Sequence, residues 1–197
     1  MKVKLQNIRG SFIAAFTPTA GGEKDPSKAV LKFRFTSILD KKANAADIKL
    51  VEETIKKALA ETYTAKGKAI PKDFKSCLRD GSEYEKDDGT PMDGYGPDVM
   101  FIPATNKTAP TVFDQQKVQL TVEDQDRIQS GYYYNVLLDI WVQDPKINPK
   151  FDASWGRRIN ATFLGCQLVK VGPTFTKAAK ASADDFSEVP ADTSVLD

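Results

Sequence analysis

The sequence predicts a mainly β protein: a small closed or partly open antiparallel barrel with one α-helix set among its strands. Two observations point there. Several segments alternate apolar and polar side chains with the period of two that a half-buried strand requires, whereas only one stretch shows helical spacing. In addition, strands and helices do not alternate as a doubly wound parallel sheet would need, and the connections are long and polar. With 197 residues the chain is long enough to bury a core of ordinary size in one domain.

Each element has its own signal. Residues 2–16 are rich in strand formers, alternate imperfectly, and end in the turn-like run TPTAGG. Residues 30–39 (VLKFRFTSIL) form a clearer strand. One face carries Leu31, Phe33, Phe35 and Leu39, and the other carries Lys32, Arg34 and Thr36. Phe33 and Phe35 are assigned to the core. Over residues 44–66 the period changes, with Ile48, Val51, Ile55, Ala58 and Leu59 on one helical stripe. Asn44 suits the N-cap, Asp47 the first turn and Gly67 the C-cap. Residues 71–97 are dense in Gly, Asp, Glu and Pro and aperiodic, which predicts a long loop. Short strands are expected at 99–103 and 111–113, a turn or short helix at 121–128, a strong strand at 131–143 and a last strand over 157–171.

Composition removes whole classes of chemistry. The chain contains no His, so Ser-His-Asp and Cys-His nucleophiles and His-ligated metals are excluded. Two cysteines, Cys77 and Cys166, are too few for a Cys-rich metal site and are expected to be reduced thiols. No cofactor or metal is expected. No apolar run approaches membrane-spanning length and no secretory signal is visible near residue 1, so a soluble, cytoplasmic protein is expected.

Charge is divided unevenly. Residues 1–180 hold 28 basic and 22 acidic side chains, a net of +6. Residues 181–197 hold five acids (Asp184, Asp185, Glu188, Asp192, Asp197) and no Lys or Arg. With Pro190 and only Phe186 as an aromatic, this end is expected to be a flexible acidic tail, so the chain divides into a domain over 1–175 and a tail over 176–197. Such a tail can compete for the anion that the basic body binds, or dock on a basic partner.

The strand at 131–143 carries the most information. Its even positions, from Tyr134 to Val142, form a core face. Its odd positions include Tyr133, Asn135 and Trp141, two large aromatics on a polar face. Aromatics placed so can stack on bases, or they can be covered by the helix or the long loop. Lys32 and Arg34 share the polar face of their own strand, where they could follow a phosphate backbone. Lys4 and Arg9 lie on the first strand, and Arg157 and Arg158 follow Trp155 and Gly156. Guanidiniums beside an aromatic can pair with phosphate and stack on a base. The acidic run from Asp80 to Asp98 holds seven carboxylates. They do not follow the spacing of a calcium loop, and a mobile Gly/Pro loop lacks the support that metal catalysis requires.

A series of ordered blocks resembles a phage family of single-stranded DNA-binding proteins with an OB-fold. The blocks are Ile8-Arg9-Gly10-Ser11-Phe12; Cys77-Leu78-Arg79-Asp80-Gly81; GYGPDVMFIPATN over 94–106; KTAPTVFD over 107–114; and SGYYYNVLLDIWVQD over 130–144. The last runs from Gly156 to Val171 through Ile159, Ala161, Gly165, Gln167 and Val169. Trp155, Arg157 and Arg158 make the start of the last strand more basic and aromatic than the family pattern. The resemblance implies an OB-fold-like five-stranded antiparallel barrel with an inserted or capping helix. It also implies sequence-independent binding of single-stranded DNA in replication or recombination, without catalysis. The implied contacts are Lys32, Arg34, Tyr133, Asn135 and Trp141 first, then Lys4, Arg9, Phe12, Arg79, Phe101, Lys107, Trp155, Arg157 and Arg158. The tail, with Asp184, Asp185, Phe186, Glu188, Asp192 and Asp197, would recruit a polymerase, helicase or nuclease in the bacterial host cytoplasm. Monomer and homodimer both stay open. Two rival readings are a metal-dependent nuclease using the 80–98 carboxylates, and a virion or assembly protein that shares only a small β-barrel.

Overall fold

The computed structural model describes residues 1–21 and 29–175. The acidic residues Asp184 to Asp197, with Phe186, lie outside the described residues, as does Gly22 of the first turn. Among the described residues, seven strands form one sheet: β1 (Lys2–Thr19), β2 (Lys32–Asp40), β3 (Arg79–Asp80), β4 (Val99–Asn106), β5 (Thr111–Phe113), β6 (Tyr133–Gln143) and β7 (Arg158–Lys170). Five of them close on themselves, because β1 pairs with β2 and β6, β2 with β4, β4 with β7, and β7 with β6. The short strands β3 and β5 are added on β4 and β7.

The barrel is mixed, which corrects the purely antiparallel expectation. A ring of five strands cannot alternate direction at every step, so one neighbouring pair must run the same way. That pair is β4–β7, which meets in parallel at Thr105 and Thr162; β5 also joins β7 in parallel.

β1 serves two partners by bending. Its pairing shifts register between Leu5 and Ile8 and again between Ser11 and Ala14. Asn7 and Phe12, beside these irregularities, take left-handed backbone angles of φ 49° and 47°. Bulges of this kind turn a strand around a barrel corner. Gly10 lies between them, where a Cβ would come within 2.7 Å of the Phe35 ring and 2.8 Å of Tyr134.

The core follows from period-two alternation in β6, where Tyr134, Val136, Leu138 and Ile140 are fully buried. Phe35 meets Tyr134 edge-on at 5.3 Å and Phe163 at 5.2 Å. Each such buried side chain contributes roughly 1.5–3 kcal/mol relative to exposure. Cys77 and Cys166 are free and buried, and burial pushes their thiols up to about 11 and about 12.

β2 departs from expectation at both ends. Leu31 is 58% exposed and precedes the strand, while Thr36 and Ile38, on the face opposite Phe35, Ser37 and Leu39, are buried as well, with Tyr95 reaching Thr36 from the 79–98 segment. The helix α1 (Ala45–Thr62) packs Val51, Thr54 and Ala58 inward with Ile48, Ile55 and Leu59 beside them. Asn44 stands at the N-cap position without a side-chain cap. Its amide carbonyl instead accepts from the Asp40 backbone N–H, closing the turn between β2 and α1. Gly67 caps a short 3-10 turn, Thr64–Lys66, that prolongs the helix.

Candidate nucleic-acid interface

The register places one row of outward side chains across the barrel. Arg34 of β2 pairs with Thr105 of β4, Thr105 with Thr162 of β7, and Thr162 with Asp139 of β6. Beside this row, Trp141 pairs with Asn160, and Gln143 with Arg158. This face is overlooked by residues 75–79. Lys75 bridges to Arg158, and the 75 and 157–159 backbones exchange hydrogen bonds.

The result is a groove of about 980 Å³. Among the described residues, its basic lining is Lys32, Lys75, Arg79, Lys107 and Arg158, its aromatics are Trp141 and Trp155, and its one carboxylate is Glu83. Among the described residues, the Lys32, Lys75 and Lys107 ammoniums have no acceptor. Burial first, then the neighbouring charges of Arg34 and Lys107, pull the Lys32 ammonium below the ordinary lysine range. A lysine held down by neighbouring cations gains when an anion enters its site. Trp155 is 53% exposed, with the Arg158 Nε donating to its carbonyl. Trp141 stacks on Phe151 at 5.7 Å and donates its indole N–H to Thr162, so one side of the ring is covered.

Six of the sequence candidates meet here: Lys32, Arg79, Lys107, Trp141, Trp155 and Arg158. The others lie elsewhere. Arg34 shares the face but donates to the Thr19 carbonyl and hydroxyl. Lys4 is exposed on β1, paired with Leu137 and away from the groove lining. Tyr133 lies at the far end of β6 from Trp141, about 26 Å away at ~3.3 Å per residue. There Lys170 sits 4.3 Å over its ring, and Gly172 packs against it. Arg9 donates to the Gly131 and Pro173 carbonyls and lies 4.2 Å over Phe175. Asn135 is held by the Asn7 backbone and Gln167. Tyr133, Asn135 and Trp141 therefore do not make one stacking surface, because residues 170–175 and a side-chain network occupy its far half.

Two further candidates lie outside the groove lining. Phe101 is 2% exposed, because Tyr84, Tyr95 and the Arg79 guanidinium cover it. Arg157 points away from the groove, its Nε donating to Asp144 at 3.0 Å and its Nη1 to Asp73 at 2.7 Å. The Tyr63 hydroxyl donates to the same buried Asp144 carboxylate. Burial and that neighbour push Tyr63 up to about 12.

The acidic loop is built, not loose. Asp80 pairs with Lys41 at 2.6 Å and accepts from the Ser82 N–H; these bonds, led by Lys41, hold its carboxyl down to about 2. Glu83 pairs with Arg79, Asp88 accepts from Thr90, and Asp93 pairs with Lys86. Among the described residues no three acidic or thiol groups converge to hold a metal ion.

Sequence reading missed Lys75, Asn160 and Thr162. The last two were within reach, since Arg158, Asn160 and Thr162 alternate with the buried Ile159, Ala161 and Phe163. Lys75 had no such signal, because it reaches the site from a loop.

Comparison with known proteins finds one family model that matches almost the whole chain. The family model described as Enterobacter phage Enc34, ssDNA-binding protein, matches residues 1–196. A protein of Acyrthosiphon pisum secondary endosymbiont phage 1, called p50, is 28% identical over 197 residues, covering 96% of this chain and 94% of its own. The bacteriophage Enc34 single-stranded DNA-binding protein in complex with ssDNA superposes with a TM-score of 0.67 at 20% identity over 89% of each chain. The bacteriophage T7 single-stranded DNA-binding protein gp2.5 gives 0.51 at 12% identity over 92% of this chain and 98% of its own. At these identities the structural likeness shows the fold, an OB-fold barrel as the sequence blocks implied.

Proposed function

The chain belongs to the Enterobacter phage Enc34 ssDNA-binding protein family, and from that premise we propose that it binds single-stranded DNA without strong sequence preference in the groove between residues 75–79 and the outer face of β4, β6 and β7. One observation carries this reading: among the described residues, five basic side chains and two tryptophans line a single groove that holds one carboxylate. Lys32, Lys75, Lys107 and Arg158 neutralise phosphates, while bases stack on Trp155 and on the open side of Trp141. Neither contact type reads base edges, so discrimination is between single strand and duplex, whose stacked bases offer no faces. The protein acts by holding and protecting the strand in the host cytoplasm during phage replication or recombination, and it catalyses no reaction. The acidic residues of the tail meet replication proteins and compete at low salt with DNA for the same cations.

The test is a titration of intrinsic fluorescence, since the chain's two tryptophans both line the groove. Oligo-dT should quench it strongly, an equal-length duplex should not, and the quenching should weaken as salt rises. No quenching together with no gel shift by either DNA would remove this function.

A further inference from the structure

The groove does not end at an inert wall. At its rim the Arg79 guanidinium lies 5.0 Å over the Phe101 ring, and Tyr84 meets Phe101 at 5.6 Å. Tyr84 in turn touches Phe12 edge-on at 5.7 Å, and Tyr95 closes the cluster, 4.9 Å from Tyr84 and 6.4 Å from Phe12. A chain of ring contacts therefore leads from the groove wall to the open surface. Phe12 is its outer member. It is 44% exposed and holds φ at 47°, a conformation that bulky side chains rarely adopt. The bulge that bends β1 sets this backbone and leaves the Phe12 ring standing at the surface.

Resting on the ssDNA reading above, we propose that the bound strand leaves the groove past Arg79 and stacks a further base on the ledge made by Phe12 and Tyr84. The occupant is the same strand, not a protein, because Arg79, which lines the groove, lies over Phe101, the ring against which Tyr84 of the ledge packs. Arg79 commits Nε and Nη2 to Glu83 and remains partly exposed at the rim, where a phosphate can meet it. A ring ledge beside one cation is the combination that tracks a backbone while stacking any base.

The experiment compares fluorescence anisotropy of two labelled oligo-dT probes, one of about 5 nucleotides that fits the groove and one of about 10 that reaches past it. Phe12→Ala should weaken the longer probe by about fivefold or more and leave the shorter one unchanged. Phe12→Tyr, which keeps the ring, should bind both as the wild type does. Equal affinity of Phe12→Ala and wild type for the longer probe would overturn the ledge, and so would equal loss on both probes. Trp155→Ala, inside the groove, should weaken both lengths and separates the two sites. If the wild type binds neither probe, the groove reading fails first and the ledge with it.

Discussion

The two ends of β6 carry the same kinds of side chain and use them differently. At the Tyr133 end, Arg9 and Lys170 lie over aromatic rings, and Arg9 is bonded to the Gly131 and Pro173 carbonyls. At the Trp141 end, Lys32, Lys75 and Lys107 face a groove with no protein acceptor among the described residues. The first arrangement is complete and fastens the chain that follows β7. The second is incomplete and has room for a polyanion. Aromatic and basic composition therefore does not locate a binding surface; what matters is whether the protein has already satisfied those groups.

The strongest way to break this comparison is to reverse charge in the groove and remove it at the far end. Lys32→Glu with Arg158→Glu should raise the Kd for oligo-dT more than about a hundredfold at low salt. The slope of log K against log salt should become shallower by about 1.4, at roughly 0.7 for each phosphate that is no longer neutralised. Arg9→Ala should leave both quantities within about twofold, since its guanidinium is bonded to the chain itself. Anisotropy over a salt series measures all three proteins. An Arg9→Ala slope that drops as far as the groove variant's would mean that the far end binds DNA too.

A sharper and smaller contrast is aromatic. Trp155→Ala should cost about 1–3 kcal/mol of DNA binding and remove most of the fluorescence quenching. Trp141→Ala should cost less, because Phe151 already covers one side of its ring. Tyr133→Ala should leave oligo-dT affinity unchanged. Binding isotherms of the three variants rank them, and a Tyr133→Ala loss equal to that of Trp155→Ala would erase the distinction between the ends.

How far the sequence reached follows the same division. β6 and α1 were legible because their own periodicity states which face is buried. β2 misled beyond Thr36, since residues distant in sequence cover its second face, and alternation carries no information about a strand buried on both sides. Arg157 and Arg158 are adjacent and chemically identical, yet one is 17% exposed and tied to Asp144 while the other lines the groove. Nothing local distinguishes them; Asp144 and Asp73 reach Arg157 from other parts of the chain. Tyr84 and Tyr95 were overlooked for a related reason, since a loop without period gives no sign that its rings roof Phe101.

The smallest expected effect concerns pH and isolates one cation. Burial and the neighbouring Arg34 and Lys107 charges make Lys32 lose its proton below the ordinary lysine range. A phosphate beside it favours the ammonium, so binding takes up a proton once the pH passes the value for the free protein. Affinity should therefore fall severalfold on the alkaline side, beginning before an unperturbed lysine would titrate. Unfolding cannot imitate this through Lys32. Its folded-state pKa lies below the unfolded value, so raising the pH relieves a cost that the native state bears. Tyr63 and Tyr95, pushed up to about 12 by burial, stay neutral across the same range. Lys32→Arg keeps the charge at every accessible pH and should flatten the profile, as read by anisotropy at constant ionic strength. A profile unchanged by Lys32→Arg would place the titrating group elsewhere and leave Lys32 outside the path of the strand.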